Sequence, residues 1–374
     1  MTDVVDLLEA LVAIDSTNRS IDATAAGEQR LALFVADHLT SLGLTVTIDE
    51  VSPGRPNVIG VAAGPPDAPA VLLDAHLDTV PAPPGGIPRR RERGRLWGRG
   101  ACDCKASLAA MLVAVEQLVA SGPPLTVIVA GTVDEEAAMT GAARLAQSLP
   151  PVVAAIIGEP TALRPVRANP GVLRVAVDAS GVASHAALPH LGHNAITDAA
   201  AFVGAAERLG SELSTRHHPL TGPAVLTPSL IDGGTAPNMV PDRCRVIVDR
   251  RTAPGERADE ALAELDRMIA KLGDEGRRLT RHEPFVDLPS VELAEDHPIV
   301  RLAERVTGMA AGGIPFATDA SRLAGVPCIV LGPGSMEQAH SADEWVDLAA
   351  VRDAVDVYRE LMIAAAQLRE PAWL

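Results

Sequence analysis

Aromatic side chains are scarce in this sequence of 374 residues, which has four Phe, three Trp and one Tyr. Because hydrophobic residues still make up 47% of the chain, the core must be built mostly from Ala, Val, Leu and Ile. Basic residues are also few, since 32 Lys and Arg stand against 48 Asp and Glu, for a net charge of -16. Such a charge repels phosphate backbones and anionic lipid, so we expect no nucleic-acid partner and no membrane partner.

Cysteine is similarly rare. The four cysteines, Cys102, Cys104, Cys244 and Cys328, form neither a zinc-finger spacing nor a disulfide framework, so we expect small packing thiols in a reducing compartment. No run approaches the ~20 apolar residues of a membrane span. The amino terminus carries acidic residues where a secretory signal would have basic ones. Together these absences predict a cytoplasmic protein.

Helix and strand patterns alternate along the first 170 residues. Apolar residues at helical spacing predict helices at residues 3–14, 28–42 and 106–119. Strand patterns lie at residues 45–50, 57–61, 70–74, 125–132 and 153–157. This alternation predicts an α/β domain with a mostly parallel sheet and helices on both faces.

The order of elements changes near Gly171. Residues 173–283 follow the order β-α-β-β-α-β, which is typical of a ferredoxin-like split βαβ sandwich. After Pro284 the helix and strand alternation resumes. We therefore predict a discontinuous α/β domain formed by residues 1–170 and 285–374, interrupted by an inserted domain at residues 171–284.

Acidic or imidazole side chains follow several predicted strands of the discontinuous domain. His76 and Asp78 are two apart on an extended chain, so Asp78 can lie beside the imidazole and fix its tautomer. The other such positions are Asp103, Glu135, Glu136, Glu159 and, within residues 339–344, His340. Taken singly, each is equally typical of a solvated turn or a helix start. Functional groups of open α/β sheets nevertheless gather at the carboxyl ends of strands, which predicts one shared site.

The residue types at this site indicate metal binding. Two imidazoles and three carboxylates suit zinc, with cobalt or manganese as substitutes. If one carboxylate bridges, five side chains serve two ions, which can polarise a carbonyl while delivering hydroxide. Glu135 and Glu136 point apart on an extended segment, so one can coordinate while the other faces the water as a base.

Five ordered motifs resemble those of a known family. They are His76-Leu-Asp-Thr-Val-Pro81, Gly98-Arg-Gly-Ala-Cys-Asp103-Cys-Lys105, Asp134-Glu135-Glu136, Gly158-Glu159-Pro160 and Gly332-Pro-Gly-Ser335 followed by His340. Over essentially the whole chain, the sequence resembles the dizinc metallopeptidases, which include acetylornithine deacetylase, succinyl-diaminopimelate desuccinylase, aminoacylase and glutamate carboxypeptidase.

The resemblance implies two zinc ions per subunit and a role for each motif residue. One zinc would be held by His76, Asp103 and Glu159. The other would be held by Asp103, Glu136 and His340, with Asp103 bridging. Asp78 would orient His76, Glu135 would be the general acid/base, and the Asp103–Cys104 peptide bond would be cis.

The resemblance also implies that the inserted domain is a lid through which the protein forms a homodimer. His185 would stabilise the oxyanion of an active site, often that of the neighbouring subunit. Asn238 and Arg251 would bind a substrate carboxylate, and Gly334 would also contact substrate. For Arg251, a salt bridge at a strand end is the alternative interpretation.

The implied reaction is hydrolysis of the amide bond of an N-acyl amino acid by a dizinc-bound hydroxide, with Glu135 as general base. The motifs are most similar to those of acetylornithine deacetylase, although that branch commonly has His-Lys-Gly where this sequence has Asn169-Pro170-Gly171. A desuccinylase, a dipeptidase, a carboxypeptidase or a carbamoyl-amide hydrolase stays open, as does a non-catalytic zinc-binding protein. The residues do not define which acyl group or amino acid is bound.

Overall fold

The computed structural model describes residues 1–368, which form two compact units. Unit 1 contains Met1–Arg167, Leu293–Gly312 and the chain from Thr318 onward, and unit 2 contains Ala168–Glu292 and Gly313–Ala317. The last six residues of the predicted segment 285–374 lie outside the described residues. The predicted boundaries of the inserted domain, at residues 171 and 284, stay a prediction.

Eight helices are present in the described residues: α1 (Val4–Val12), α2 (Gln29–Ser41), α3 (Lys105–Ser121), α4 (Thr140–Ser148), α5 (Ala195–Leu213), α6 (Ala258–Asp274), α7 (Pro298–Thr307) and α8 (Leu348–Ala365). Helix α1 begins after Asp3, whose carboxylate accepts hydrogen bonds from the N–H groups of Val5 and Asp6. At its other end, Lys105 Nζ donates to the carbonyl oxygens of Leu11 and Ile14. None of the helices within residues 1–368 has the length and apolarity needed to cross a bilayer.

The strands are β1 (Thr45–Ser52), β2 (Arg55–Ala62), β3 (Ala70–His76), β4 (Arg90–Glu92), β5 (Arg95–Trp97), β6 (Thr126–Thr132), β7 (Ala154–Ile157), β8 (Val166–Asn169), β9 (Gly171–Ser180), β10 (Ser184–His185), β11 (His217–His218), β12 (Gly222–Pro223), β13 (Val225–Gly233), β14 (Met239–Val240), β15 (Arg243–Thr252), β16 (Leu279–Arg281), β17 (Val286–Leu288), β18 (Val291–Glu292), β19 (Gly312–Gly313), β20 (Cys328–Val330) and β21 (Trp345–Asp347). Two short 3-10 helices, Pro189–Leu191 and Asp319–Arg322, lie between them.

The main sheet of unit 1 has the strand order β1-β2-β6-β3-β7-β20. Its centre is parallel, because β6, β3, β7 and β20 run in one direction, whereas β1 and β2 pair antiparallel at one side. The strands β3, β6 and β7 therefore end at the same edge, where His76 lies opposite Thr132. This mixed sheet with a parallel centre confirms the predicted α/β class, and its shared edge positions the site.

The core of unit 1 consists mainly of Leu, Val, Ile and Ala, as the composition predicts. Helix α3 is buried along most of its length and lies between the sheet and the helices α1 and α8. Small residues on several of its faces, including Ala106, Ala109, Ala110 and Ala114, let the neighbouring elements approach closely. The loop that precedes α3 is thereby fixed at the carboxyl edge of the sheet.

Unit 2 contains a separate antiparallel sheet with the order β13-β15-β9-β16, and β17 also pairs with β9. Along the chain its main elements run β9-α5-β13-β15-α6-β16, which is the predicted β-α-β-β-α-β order. Helices α5 and α6 pack against this sheet around Phe202, Leu173 and Leu265. The prediction of an inserted domain of this class is confirmed.

Candidate metal centre

His76 ends strand β3 with its ring buried, since the residue is only 2% exposed. Its Nδ1 is 2.9 Å from the backbone carbonyl oxygen of Asp78, which favours the tautomer in which Nδ1 donates and Nε2 is free to bind a cation. Nε2 lies 3.0 Å from Asp103 Oδ1 and 3.8 Å from Glu159 Oε1. The ring is therefore oriented by the backbone of Asp78, whose carboxylate Oδ1 is 3.8 Å from Nδ1.

The carboxylate of Asp78 holds the turn that carries the two neighbouring glutamates. Oδ1 accepts a hydrogen bond from the N–H of Glu135 at 3.0 Å, and Oδ2 accepts one from the N–H of Glu136 at 3.1 Å. Asn18 Nδ2 donates to the same Oδ2 at 2.7 Å. Sequence reasoning linked Asp78 only to His76, because neither of these backbone partners leaves a signal in the sequence.

Asp103 lies between the two histidines. Its Oδ1 faces His76, whereas its Oδ2 is 3.3 Å from His340 Nε2. The same His340 nitrogen is 2.9 Å from Glu136 Oε2. One oxygen directed at each imidazole is the arrangement of a bridging carboxylate, and the Asp103–Cys104 peptide bond is cis, as the resemblance implies.

The structure brings all five predicted ligands and the predicted base together. Ligand atoms of His76, Glu135 and Glu159 lie within 4.8 Å of one another, as do those of Asp103, Glu136 and His340. In a third group, ligand atoms of His76, Asp103 and Cys104 also lie within 4.8 Å of one another. Six residues, the five predicted ligands and the predicted base, are separated by up to 264 positions in the chain and thus form two adjoining clusters.

The charges at this site are unbalanced without a cation. Burial raises the pKa of Glu135, Glu136 and Glu159, and the neighbouring carboxylates raise it further. Hydrogen bonds with the carboxylates of Asp103 and Glu136 raise the pKa of His340 to about 10. Divalent cations would favour the ionised carboxylates, and the set of imidazole and carboxylate donors suits zinc, cobalt or manganese. The residues therefore fit a two-metal site.

The sequence profile described as Peptidase family M20/M25/M40 matches residues 72–364. The chain belongs to peptidase family M20/M25/M40. It is a metallohydrolase of the M20 family, and the two clusters of His, Asp and Glu are the candidate residues for that family's dinuclear metal site.

Relatives of known structure or activity agree with this assignment. Acetylornithine deacetylase of Vibrio cholerae serotype O1 is 30% identical over 379 residues, which cover 96% of this chain and 97% of the relative. A tripeptidase from Staphylococcus aureus has a TM-score of 0.79 at 20% identity, over 97% of this chain and 98% of that one. An M20 family metallo-carboxypeptidase from Sulfolobus solfataricus has a TM-score of 0.78 at 16% identity, over 98% of this chain and 100% of that one. The two structures share the M20 fold with this chain.

Unit 2 places two of its predicted site residues next to each other. His185 pairs with Met239 between β10 and β14, and the carbonyl oxygen of Asn238 accepts a hydrogen bond from the N–H of Ala186 at 2.9 Å. Both His185 and Asn238 are exposed. His185 Nδ1 accepts a hydrogen bond from the N–H of Ala187 at 3.0 Å, so Nε2 is the nitrogen left facing outward.

Arg251 is engaged by a carboxylate of its own strand. Its Nε and Nη2 donate to the two oxygens of Asp249 at 2.6 and 3.2 Å, as in the salt bridge considered as the alternative. Arg251 is also distant from the loop that carries Asn238. That loop precedes Arg243, the first residue of β15, and Arg251 lies eight residues further along the strand, roughly 26 Å away.

Gly334, the remaining predicted substrate contact, lies in the loop after β20 in unit 1. Its φ of +82° and the 2.5 Å that would separate an added Cβ from Cys102 Sγ both require glycine. Its carbonyl oxygen accepts a hydrogen bond from the N–H of Ala162. This loop is therefore packed against the segment that carries Asp103.

Three buried side chains share protons behind this edge of the sheet. The Thr132 hydroxyl is 3.0 Å from Asp74 Oδ1 and 2.8 Å from Asp319 Oδ2. A hydroxyl has one proton and can donate to only one of these carboxyls, so the other must itself be protonated and donate to Thr132. In agreement, burial raises the pKa of Asp319 to about 7 and raises that of Asp74 well above its ordinary range.

The pKa of Asp319 predicts a pH dependence of stability. Between the ordinary value of 3.8 and about 7, the folded protein holds a proton at Asp319 that the unfolded chain has released. The stabilisation is thus complete below pH 3.8 and is lost as the pH rises to about 7, by up to about 1.4 kcal/mol per pH unit. Asp319→Asn, which keeps a donor for Thr132, should flatten this part of the profile in urea unfolding of metal-free protein. Equal slopes for both proteins would contradict the shared-proton arrangement.

Proposed function

We propose that this chain hydrolyses the amide bond of an N-acyl amino acid, releasing a carboxylic acid and a free amine, as acetylornithine deacetylase does. Support comes from the 30% identity to that enzyme over 96% of this chain. The observation that carries the reaction type is Asp103 with one oxygen towards each of the two histidines, together with Glu135 in the group of His76 and Glu159. Two metals joined by a carboxylate, with a second carboxylate near enough to act as a base, are suited to hydrolysis of a carbonyl compound.

The chain's own residues would hold the metals and move the proton. His76, Asp103 and Glu159 would bind one ion, and Asp103, Glu136 and His340 the other. When bound, the two ions supply a polarised carbonyl and a water of lowered pKa. Glu135 takes a proton from the attacking water and returns it to the nitrogen that leaves when the amide bond breaks.

Residues of unit 2 would complete the site. We assign His185 to the oxyanion that forms at the carbonyl, since its exposed Nε2 can donate a hydrogen bond. Asn238 and Arg251 would bind the substrate carboxylate. Because β15 separates Arg251 from the Asn238 loop, we infer that these two residues of one chain serve different active sites, one of them in a neighbouring subunit.

The exposed edge of the unit 2 sheet supports a homodimer. Strand β13 forms one end of the sheet order, and its Leu230 and Ile231 are 68% and 57% exposed. An edge strand with large apolar side chains pairs readily with a second copy. We propose that the dimer forms through this edge.

Ile231→Lys should therefore convert the protein from dimer to monomer. A lysine on the edge strand places a charge in the apolar contact between the copies. The molar mass measured by light scattering after size exclusion should fall from about twice 38.8 kDa to 38.8 kDa. Met309→Lys, at an exposed apolar residue of unit 1, is the matched control and should stay dimeric. A variant at Ile231 with the mass of the unaltered protein would contradict this interface.

A substrate panel tests the reaction. Acetyl, succinyl, formyl and peptidyl amino acids are incubated with protein loaded with zinc or cobalt, and free amine is measured. We expect N-acetyl amino acids to be the best substrates, activity to vanish with a chelator and to return on adding either metal. Preference for succinyl or peptidyl compounds would replace the proposed substrate with the desuccinylase or peptidase alternative. Inertness of the metal-loaded protein towards the whole panel would favour the non-catalytic alternative.

A further inference from the structure

Glu344 is a fully buried carboxylate bonded to the loop that carries Asp103. Its Oε1 accepts hydrogen bonds from the N–H groups of Cys102 at 2.8 Å and Asp103 at 3.0 Å. Its Oε2 accepts one from the N–H of Gly100 at 3.0 Å and one from Arg99 Nη1 at 2.6 Å. The side chain is 0% exposed, so all four donors act without competition from water.

This carboxylate joins segments that lie far apart in the sequence. Glu344 follows His340 by four residues, and its own backbone oxygen accepts a hydrogen bond from the N–H of Gly98 at 3.0 Å. Arg99, its ion-pair partner, also donates to the carbonyl oxygens of Ser341 and Pro81, each at 3.2 Å. The ion pair of Glu344 and Arg99 therefore connects three segments of the chain, which lie near His76, Asp103 and His340 in the sequence. Each segment contributes a candidate ligand.

The hydrogen bonds of Glu344 reach the backbone of a candidate metal ligand, so we expect the residue to position the metal as well as to support the fold. Two of the four donors are the N–H of Asp103 itself and that of its neighbour Cys102, so any shift of the carboxylate is transmitted directly to Asp103. Asp103 in turn is the residue with one oxygen towards each histidine. A displacement there changes the geometry of both ligand clusters at once.

We propose that Glu344 is a positioning residue of the metal centre, which sets metal affinity by fixing the backbone of Asp103 relative to His340. Glutamine in its place has one acceptor oxygen instead of two and turns an NH2 group towards Gly100 or Arg99. The loop must then move to satisfy its buried N–H groups. The inference rests on the metal centre of the proposed function.

The test measures metal affinity without using substrate. Glu344→Gln should bind Zn²⁺ and Co²⁺ about 10- to 100-fold more weakly in competition with a chelator, the usual cost of losing an outer hydrogen-bond partner. The visible spectrum of its Co²⁺ form should differ from that of the unaltered protein. Glu344→Asp keeps the charge on a shorter side chain and should have an intermediate affinity, which serves as the second variant if the glutamine protein does not fold.

Asp343→Asn is the matched control, because Asp343 is 64% exposed and pairs with Arg90 on the surface. It should keep the affinity and the Co²⁺ spectrum of the unaltered protein. Folded Glu344 variants with unchanged affinity and spectrum would overturn the positioning role, even if their thermal stability is lower. Failure of the unaltered protein to bind either metal would instead overturn the proposed function.

Discussion

Replacement of Glu135 by glutamine is expected to lower kcat by about 10²- to 10⁴-fold, the usual contribution of a positioned acid/base group. The amide preserves the size of the side chain but can neither take a proton from water nor return one to the leaving nitrogen. The bond from the N–H of Glu135 to Asp78 uses the backbone and survives the change. We therefore expect KM to stay near its unaltered value and metal content to stay near two ions per chain, measured by steady-state kinetics and metal analysis of the same preparation.

Metal content separates the two roles open to Glu135. Its carboxylate lies in one group with His76 and Glu159, so it is placed well enough to be a ligand. Loss of an ion together with activity would identify Glu135 as a ligand and leave the base unassigned. Glu337→Gln, at an exposed carboxyl three residues before His340, should keep the unaltered kcat and controls for loss of a nearby charge. A Glu135→Gln enzyme with full activity would remove the proton-transfer role.

The residues that gather at the metal centre were predictable from the sequence, because the topology of the sheet determines which strand ends lie close together. His76 ends a parallel strand, Asp134 with Glu135 and Glu159 each follow one, and parallel strands end at one edge. A short polar segment after an apolar run is visible without coordinates. The order of strands and helices in unit 2 was also predictable, because apolar residues recur with a different period in helices and in strands.

The contacts that support the ligands were not predictable, because they join backbone to side chain across long separations. Asp78 accepts from the N–H groups of Glu135 and Glu136, 57 and 58 residues away. Glu344 accepts from Asp103, 241 residues away. A backbone N–H has no residue type, so the sequence offers no partner to recognise. The pairing of Arg251 with Asp249 was undecided for a related reason, since a guanidinium is suited to any carboxylate within reach.

Arg55 is buried beside the turn that carries Glu135, and its hydrogen bonds go to other side chains. Its Nε donates to both oxygens of Glu28, which is 0% exposed, at 3.1 and 3.0 Å. Nη1 donates to Ser20 Oγ at 2.7 Å, and Nη2 to Asn18 Oδ1 at 2.9 Å. Nη2 is also 3.0 Å from Asp134 Oδ1. One guanidinium thus contacts two buried carboxylates and is the cation that both of them share.

Arg55→Met should destabilise the protein by about 3–5 kcal/mol, because the change leaves Glu28 and Asp134 buried without their cation. Urea unfolding followed by tryptophan fluorescence measures this in unit 1, which contains Trp97 and Trp345, whereas residues 168–292 contain no Trp. Adding Glu28→Leu should recover part of the loss, since the apolar pair removes one of the two uncompensated charges. Arg144→Met breaks a pair with Asp49 in which the arginine side chain is 50% exposed, and it should cost no more than about 1 kcal/mol. A cost for Arg55→Met as small as that control would mean that water reaches Glu28 and that the carboxylates need no internal cation.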